Sequence, residues 1–225
     1  MLLSTEIDKQ LIQSDNSNLA ANFIAIAIRL NKDGVGWHSG IIIAVNGIYK
    51  IFHYDDETHF EDIPKSKWYF HKELNLIQPE ESNFFDSYCQ RIKENSNPKY
   101  GFYYDGSYYG KDGKFFSENN KKEYMTCVGF CINIILGFID SDVYFQYTDW
   151  DESTITPEFF RECIKKDLLK HPELNEEQYK KHLRRITPPE LTASAYLEEI
   201  PIKKVEIDKI IGVVTAVIKA KRIKT

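Results

Sequence analysis

The sequence predicts an α+β fold in which an antiparallel sheet of about five strands packs against one buried helix, with further helices on the outside. Three observations support this prediction. Strand-like apolar runs occupy the first half of the chain, a segment that is apolar on nearly every helical face lies in the middle, and polar helical segments occupy the last third. With 225 residues, of which 42% are hydrophobic, the chain is long enough for one domain with a substantial core.

A β-hairpin is predicted near the start of the chain. Two apolar runs, residues 37–45 and 48–56, are separated by Asn46-Gly47, a dipeptide that suits a two-residue type I′ turn because both positions need a positive φ. A third run, residues 22–30, predicts a neighbouring strand. The hairpin fixes the register of its two strands, and with it the side chains that share a face.

Two helices are predicted in the middle of the chain, after an irregular stretch and a strand at about 68–77. Residues 79–95 have a proline in the first turn and an apolar stripe, which indicates an amphipathic helix. Residues 127–138 are apolar on nearly every face, so this helix is expected to be buried all round. The Gly-rich aromatic segment between the two helices, residues 100–116, is predicted to be a loop region.

The remainder of the chain is more polar. Cap and proline signals after Thr156 and Asn175 predict two helices, which form a helical elaboration at about 155–185 within a domain that spans residues 1–200. Residues 201–225 carry seven Lys or Arg against two acids and form a basic C-terminal tail. We expect the tail to pack on the same domain. Its charges could contact an acidic partner or a membrane surface, but a charge run of this kind is more often a solvated face.

Composition argues against several classes of protein. The formal net charge of −5 provides no basic footprint for nucleic acid, and no apolar run is long enough for a transmembrane segment. The first residues do not have the pattern of a secretory signal, which favours a cytoplasmic location. The four cysteines form no CxxC pair, which argues against zinc and for free thiols.

The hairpin register brings ionisable side chains together. Counting outward from the turn, Gly40 lies opposite His53. Two positions farther along, His38 lies opposite Asp55, so His38, His53 and Asp55 share one face of the ribbon. The two histidines are then diagonal neighbours within reach of each other, an arrangement that can orient a base and hold its proton. Trp37 points to the other face and is expected in the core.

Cys127 is the candidate nucleophile. Thr126 is predicted to be the N-cap of the buried helix, which places Cys127 in the first turn. There the backbone N–H groups and the helix dipole are expected to lower the thiol pKa from about 8.5 toward neutrality and to receive a developing oxyanion. Cys131, one turn deeper, is expected to be inert. Taken alone, a cysteine on an apolar helix is more often a small hydrophobic residue.

Other candidates have open alternatives. Tyr104 and Tyr108 are candidate substrate contacts, although the aromatic segment could equally be a surface loop packed on its own rings. Tyr124 is a candidate oxyanion donor, with core packing as the alternative, and Asp55 could simply end its strand as a solvated residue. His71 lies next to charged residues and is expected to be solvated.

These motifs resemble the circularly permuted NlpC-type papain-like cysteine hydrolases and their lecithin:retinol acyltransferase-like relatives. In those families the histidine strand precedes the cysteine helix. The matching pieces are WHSGIIIAVNGIYKIFH (residues 37–53), YMTCVGFCINIILGF (124–138), NPKYGFYY (97–104) and ITPPELTAS (186–194). The resemblance spans approximately residues 22–200 and implies a papain-like fold with permuted chain order.

The resemblance also implies a mechanism. Cys127 attacks an acyl carbonyl, His38 deprotonates the thiol, and a third polar residue on the next strand orients His38. A histidine in that third place is acyltransferase-like, and His53 fits it. The cysteine motif reads Thr-Cys-Val-Gly-Phe where the acyltransferases have Asn-Cys-Glu-His-Phe, so the substrate class stays open.

The predicted function is therefore a thiol-dependent hydrolase or acyltransferase that acts on an amide, ester or thioester. The acyl substrate is a small molecule, a peptide or a lipid, and the mechanism needs no metal or organic cofactor. Two alternatives stay open: a catalytically silent binding module on the same fold, and a structural partner protein that interacts through its C-terminal helices and tail. The oligomeric state does not follow from the sequence.

Overall fold

A six-stranded antiparallel sheet forms the centre of the protein, which confirms the α+β class. Its strands are β1 (Ile12–Gln13), β2 (Phe23–Leu30), β3 (Gly36–Val45), β4 (Ile48–Asp55), β5 (Glu57–Asp62) and β6 (Tyr69–Glu73). Their order in the sheet is β1-β6-β2-β3-β4-β5. The structure is a computed structural model that describes residues 4–14, 18–63, 69–119, 122–139, 141, 143–150, 157–170 and 176–223.

Helices and short strands complete the fold. Among the described residues the helices are α1 (Ser4–Gln10), α2 (Ser82–Asn95), α3 (Cys127–Ile139), α4 (Pro157–Lys170), α5 (Glu176–His182), α6 (Pro188–Ser194) and α7 (Lys204–Ile223). Two short pairs are β7 (Lys99–Tyr100) with β10 (Tyr124–Met125), and β8 (Tyr108–Tyr109) with β9 (Phe115–Phe116). Residues 64–68 and the predicted caps Thr156 and Asn175 lie outside the described residues. None of the described helices is long and apolar enough to cross a membrane.

The β3–β4 hairpin has the predicted turn and register. Asn46 has a φ of 51° and Gly47 has a φ of 79°, so both residues adopt the left-handed conformation that a type I′ turn requires. Gly40 pairs with His53, and the ladder between the two strands ends at this pair. The predicted facing pair of His38 and Asp55 therefore lies beyond the ladder, at the point where the strands part. Asp55 pairs instead with β5, a strand that the sequence did not predict.

The main core lies between the sheet and helix α3. Phe52 of β4 meets Phe130 of α3 edge to face, with ring centroids 4.9 Å apart, and the side chains of α3 are buried from Val128 to Leu136. Helices α2 and α6 also pack against the sheet, and α7 packs on α6 and α1. The prediction that the cysteine-bearing helix is buried is confirmed.

His71 of β6 differs from its expected solvated state. It is fully buried, its Nδ1 lies 2.9 Å from the Ser14 hydroxyl, and its ring stacks on Phe23 with centroids 5.2 Å apart. Burial, reinforced by the positive charge of Lys72, lowers the pKa of His71 from 6.5 to about 4. The side chain is therefore a neutral core group at pH 7.

This burial predicts a loss of stability in mild acid. Below pH 6.5 the unfolded chain binds a proton at His71 that the folded chain does not bind until about pH 4, so the free energy of unfolding falls as the pH drops through this window. We expect His71→Gln, which does not titrate, to flatten that dependence. Urea denaturation at pH 7 and pH 4.5 measures it. An equally steep pH dependence in the variant would contradict the assignment.

Candidate active site

Strands β3 and β4 bring His38 and His53 into direct contact. Nε2 of His38 lies 3.0 Å from Nδ1 of His53, and the two rings meet edge to face with centroids 4.9 Å apart. Both side chains are 2% exposed. The contact follows from the turn, because the register makes the two residues diagonal neighbours across the ribbon. A hydrogen bond between two buried imidazoles fixes the orientation of both rings.

Strand β5 extends this pair toward the surface. His59 lies opposite His53 in the register, and their rings stack with centroids 4.9 Å apart. A carboxylate oxygen of Glu61 lies 4.0 Å from Nε2 of His53. Glu61 was missed in the sequence because β5 was not recognised as a strand. By contrast, Asp55 is exposed at the end of β4, and His53, not Asp55, holds His38.

Helix α3 begins at Cys127 in the way the sequence predicted. The Thr126 hydroxyl accepts a hydrogen bond from the backbone N–H of Gly129 at 3.1 Å, which is an N-cap bond. Cys127 as a whole residue is half-buried. The backbone N–H of Ser39, the residue that directly follows His38, is close enough to the sulfur to favour its ionised form. The sulfur therefore lies near the backbone of β3, one residue along the strand from the residue predicted to act as its base.

The alternation of β3 and β4 determines how the sulfur and the imidazoles can meet. Phe52, which contacts α3, lies on one face of the ribbon. His53 is the next residue and projects from the opposite face, as does His38. The sulfur reaches β3 at Ser39, just past the last paired residues of the two strands. A proton transfer from the sulfur to His38 would therefore have to take place beyond the end of the β3–β4 ladder.

The thiol pKa differs from the expected one. Burial raises the pKa of Cys127 to about 11, and the nearby Asp55 carboxylate acts in the same direction, while backbone N–H groups of Ser39 and Val128 oppose the shift. The prediction of a lowered pKa is wrong, because loss of hydration outweighs the N–H groups at the helix terminus. The resting sulfur is a neutral thiol at pH 7.

A groove of about 400 Å³ opens over the sulfur, a volume within the usual range of small-molecule sites. It is lined by Val35, Gly36, Trp37, Tyr100, Phe102, Thr126, Cys127, Val128, Arg185, Ile186, Thr187, Pro188 and Pro189. Trp37 is 45% exposed and forms part of this wall, which corrects its expected place in the core. A register shift between Arg29 and Leu30 interrupts the β2–β3 ladder beside it.

A capping box holds the opposite wall in place. The Glu190 side chain accepts a hydrogen bond from the backbone N–H of Thr187 at 2.7 Å, and the N–H of Glu190 donates to the Thr187 hydroxyl at 3.4 Å. The indole of Trp150 donates to the other Glu190 oxygen at 3.0 Å. These bonds fix the start of α6, so that Pro188 and Pro189 present a rigid apolar surface to the groove.

The predicted substrate contacts Tyr104 and Tyr108 do not line the groove. Tyr104 is buried, and its hydroxyl lies 2.7 Å from the Thr126 hydroxyl, so it supports the N-cap of α3. Tyr108 stacks on Phe116 in the β8–β9 pair, with centroids 5.6 Å apart. We therefore correct both assignments: Tyr104 has a supporting role, and Tyr108 is not part of the groove.

Two other aromatic residues of the same segment replace them. Tyr100 and Phe102 line the groove, and Tyr100 is 44% exposed. The candidate oxyanion donor Tyr124 is buried in a small cluster with Tyr103 and Leu183, which agrees with the core-packing alternative. Since β7 and β10 pair in parallel, this segment is held beside the start of α3.

We compared the chain with protein-family models, curated proteins and solved structures, and none of these comparisons gave a match. Among the described residues, no group of three or more His, Cys, Asp or Glu side chains is arranged to hold a metal ion. The chemistry is therefore inferred from the cysteine at the helix terminus, the histidine pair and the groove.

Proposed function

We propose that the protein is a thiol-dependent hydrolase or acyltransferase with a circularly permuted papain-like fold. The main support is the position of Cys127 at the N-terminus of a buried helix, with its sulfur close enough to the N–H of Ser39 for that group to lower the thiol pKa, because Ser39 directly follows His38 in β3. The bond from His38 to His53 supplies the orienting partner that such a base needs. The histidine strand precedes the cysteine helix, as in the permuted families.

The histidine pair sets the direction of proton movement. For His38 to accept a proton at Nδ1, its Nε2 must carry hydrogen and donate it to Nδ1 of His53. His53 then carries its own hydrogen on Nε2, toward Glu61. A positive charge that forms on His38 is stabilised through this chain, because each member can polarise the next.

The reaction proceeds in two steps. As the sulfur of Cys127 bonds to the acyl carbon, its proton moves to Nδ1 of His38 and the carbonyl electrons move to oxygen. The oxyanion faces the N–H groups of the first turn of α3. When it collapses, His38 gives its proton to the departing amine, alcohol or thiol. Water or an acceptor then attacks the acyl-enzyme, with His38 again as base, and releases the Cys127 thiol.

The raised thiol pKa determines the timing of the first step. Because burial keeps Cys127 protonated at pH 7, the proton is transferred during attack on the bound substrate, not beforehand. General-base catalysis of this kind contributes about 10²- to 10⁴-fold to a rate. In this proposal His38 therefore takes a direct part in acylation.

A covalent adduct tests the proposal. We expect incubation with a panel of an activated ester, an acyl thioester and a peptide anilide to acylate Cys127 with at least one donor, visible as a mass increase on its peptide. Cys127→Ala should abolish the adduct. Cys131→Ala should leave it unchanged, because Cys131 is fully buried one turn deeper. A folded protein that no donor acylates, or an adduct that survives Cys127→Ala, would contradict the proposal.

One observation favours the catalytically silent binding module as a second candidate. The groove has exposed aromatic side chains at Trp37 and Tyr100, and the sulfur beneath them is a neutral thiol at rest. A binding module would bind groove ligands equally well after Cys127→Ala and would show no adduct in the panel. Ligand binding without acylation therefore distinguishes the two functions.

A further inference from the structure

The groove over Cys127 has an uneven chemical character. Its walls are apolar or aromatic at most positions, including Trp37, Tyr100 and the two prolines of α6, and its neutral polar side chains are those of Thr126 and Thr187. Arg185 is the one charged residue among the described residues that line it. A groove with this lining favours a ligand with an apolar body and a single anionic group.

Arg185 is held in a suitable place to bind such a group. It is exposed and precedes Ile186 and Thr187, which belong to the wall that the Thr187–Glu190 capping box fixes. A guanidinium has five N–H donors in a planar fork, so it can bind a carboxylate or a phosphate with two parallel hydrogen bonds. The rigid wall reduces the entropy lost when the anion binds.

The surrounding charges agree with an anionic ligand. The guanidinium of Arg29 lies over the Trp37 ring at 5.3 Å, which adds a second positive charge beside the groove. Asp55 is within electrostatic reach of the Cys127 sulfur, but it does not line the groove. The protein as a whole has a formal net charge of −5, so a positive groove is a local feature and not a consequence of composition.

We infer that the acyl substrate has an apolar body and carries a carboxylate or phosphate group, and that Arg185 is the residue that selects for this group. The inference rests on the proposed function, since it assumes that the groove is the acyl-binding site. Arg185 acts on binding and takes no part in the proton transfers at Cys127. Its removal should therefore change the preference between ligands and leave the reactivity of the thiol itself unchanged.

A pair of alkylating reagents tests the charge preference without any acyl transfer. N-carboxypropyl iodoacetamide and its terminal carboxamide analogue have the same length, and in both the sulfur displaces iodide. The two alkylation rates at Cys127 are followed by mass spectrometry of the peptide that contains it. Their ratio does not depend on the ionised fraction of the thiol, because both reagents react with the same sulfur. The same rate ratio measured with 2-mercaptoethanol gives the intrinsic preference of a free thiol. We expect the carboxylate-to-carboxamide ratio to be higher at Cys127 of the wild type than with 2-mercaptoethanol.

The variants identify the residue responsible. Arg185→Gln should lower the carboxylate-to-carboxamide ratio by about tenfold, the scale of one charge-assisted hydrogen bond. Arg185→Lys should restore part of it. Lys181→Gln is the matched control, because it removes one exposed positive charge of α5 that does not line the groove, and it should leave the ratio unchanged.

The outcomes separate this inference from the proposed function. An equal ratio in the wild type, in Arg185→Gln and in 2-mercaptoethanol would overturn the inference, while acylation in the donor panel would still support the enzyme. A Cys127 that reacts with neither reagent would likewise overturn the inference. If only the donor panel fails, the proposed enzymatic function is wrong, and the groove is a binding site that prefers anionic ligands.

Discussion

Replacing His38 with alanine is expected to slow acylation of Cys127 by about 10²- to 10⁴-fold. With a thiol pKa of about 11, only about one sulfur in 10⁴ is ionised at pH 7, so a variant without the base must rely on this small fraction. Its rate should then rise steadily with pH, whereas the wild-type rate should depend much less on pH, because the base removes the proton from the neutral thiol during attack. Stopped-flow release of p-nitrophenolate from an activated ester, measured from pH 5 to pH 10, reports both rates.

His59→Ala is the matched control for this experiment. Its ring stacks on His53 but makes no bond to His38 in the described contacts, so its loss should change the acylation rate by no more than about threefold. If His38→Ala keeps the wild-type rate and pH profile, the assignment of His38 as base is wrong. If His59→Ala is as slow as His38→Ala, the third histidine belongs to the catalytic machinery.

Replacing Gly137 with alanine is expected to destabilise the fold by about 3 kcal/mol. A Cβ at this position in α3 would lie 1.8 Å from the backbone oxygen of Tyr109 and 2.6 Å from the Tyr88 hydroxyl. Those two groups are hydrogen-bonded to each other at 2.7 Å, so α3 would have to move away from β8 or break that bond. The gain in helix propensity of about 1 kcal/mol is too small to compensate.

Gly212→Ala, in helix α7, is expected to have the opposite effect on stability. Gly212 is exposed in α7, and a Cβ there would meet nothing within 4 Å, so alanine should stabilise the protein by about 0.5–1 kcal/mol through helix propensity alone. Urea denaturation of both variants measures the difference. A Gly137→Ala protein as stable as the wild type would show that α3 and β8 do not approach as closely as described.

The sequence predicted the centre of the site because local rules determine it. Asn46-Gly47 specifies the turn, the turn specifies the register, and the register makes His38 and His53 neighbours. Similarly, Thr126 marks the start of α3 through its N-cap bond. Each of these features can be predicted from a few neighbouring residues and from the alternation of side chains along a strand.

Elements with weak local signals were missed. Strand β5 is at the edge of the sheet, begins after a positive φ at Asp56, and is too polar to read as a buried strand. Helix α6 could have been found, because Thr187 and Glu190 have the spacing of a capping box. Most of the tail forms helix α7, although its β-branched residues would also suit a strand, and this helix packs against α1 and α6.

The remaining differences depend on tertiary structure. Whether Trp37 lies in the core or in a groove wall depends on what covers its face, and Arg185 joins that groove from a segment nearly 150 residues later. The pKa of Cys127 depends on how much water the assembled groove admits. No pattern near these residues in the sequence reports such properties.

The two-residue turn between β3 and β4 also limits which insertions and deletions the chain can accept. The side chain of an exposed residue beside the turn, such as Ile48, can vary without changing the face from which the histidine rings project. A single residue added between His38 and the turn would move each preceding side chain of β3 to the opposite face of the sheet. The His38 ring would then point into the isoleucine-rich core beneath α3. Length changes in this ribbon that preserve the contact between His38 and His53 must therefore come in pairs, one in each strand or two in the same strand.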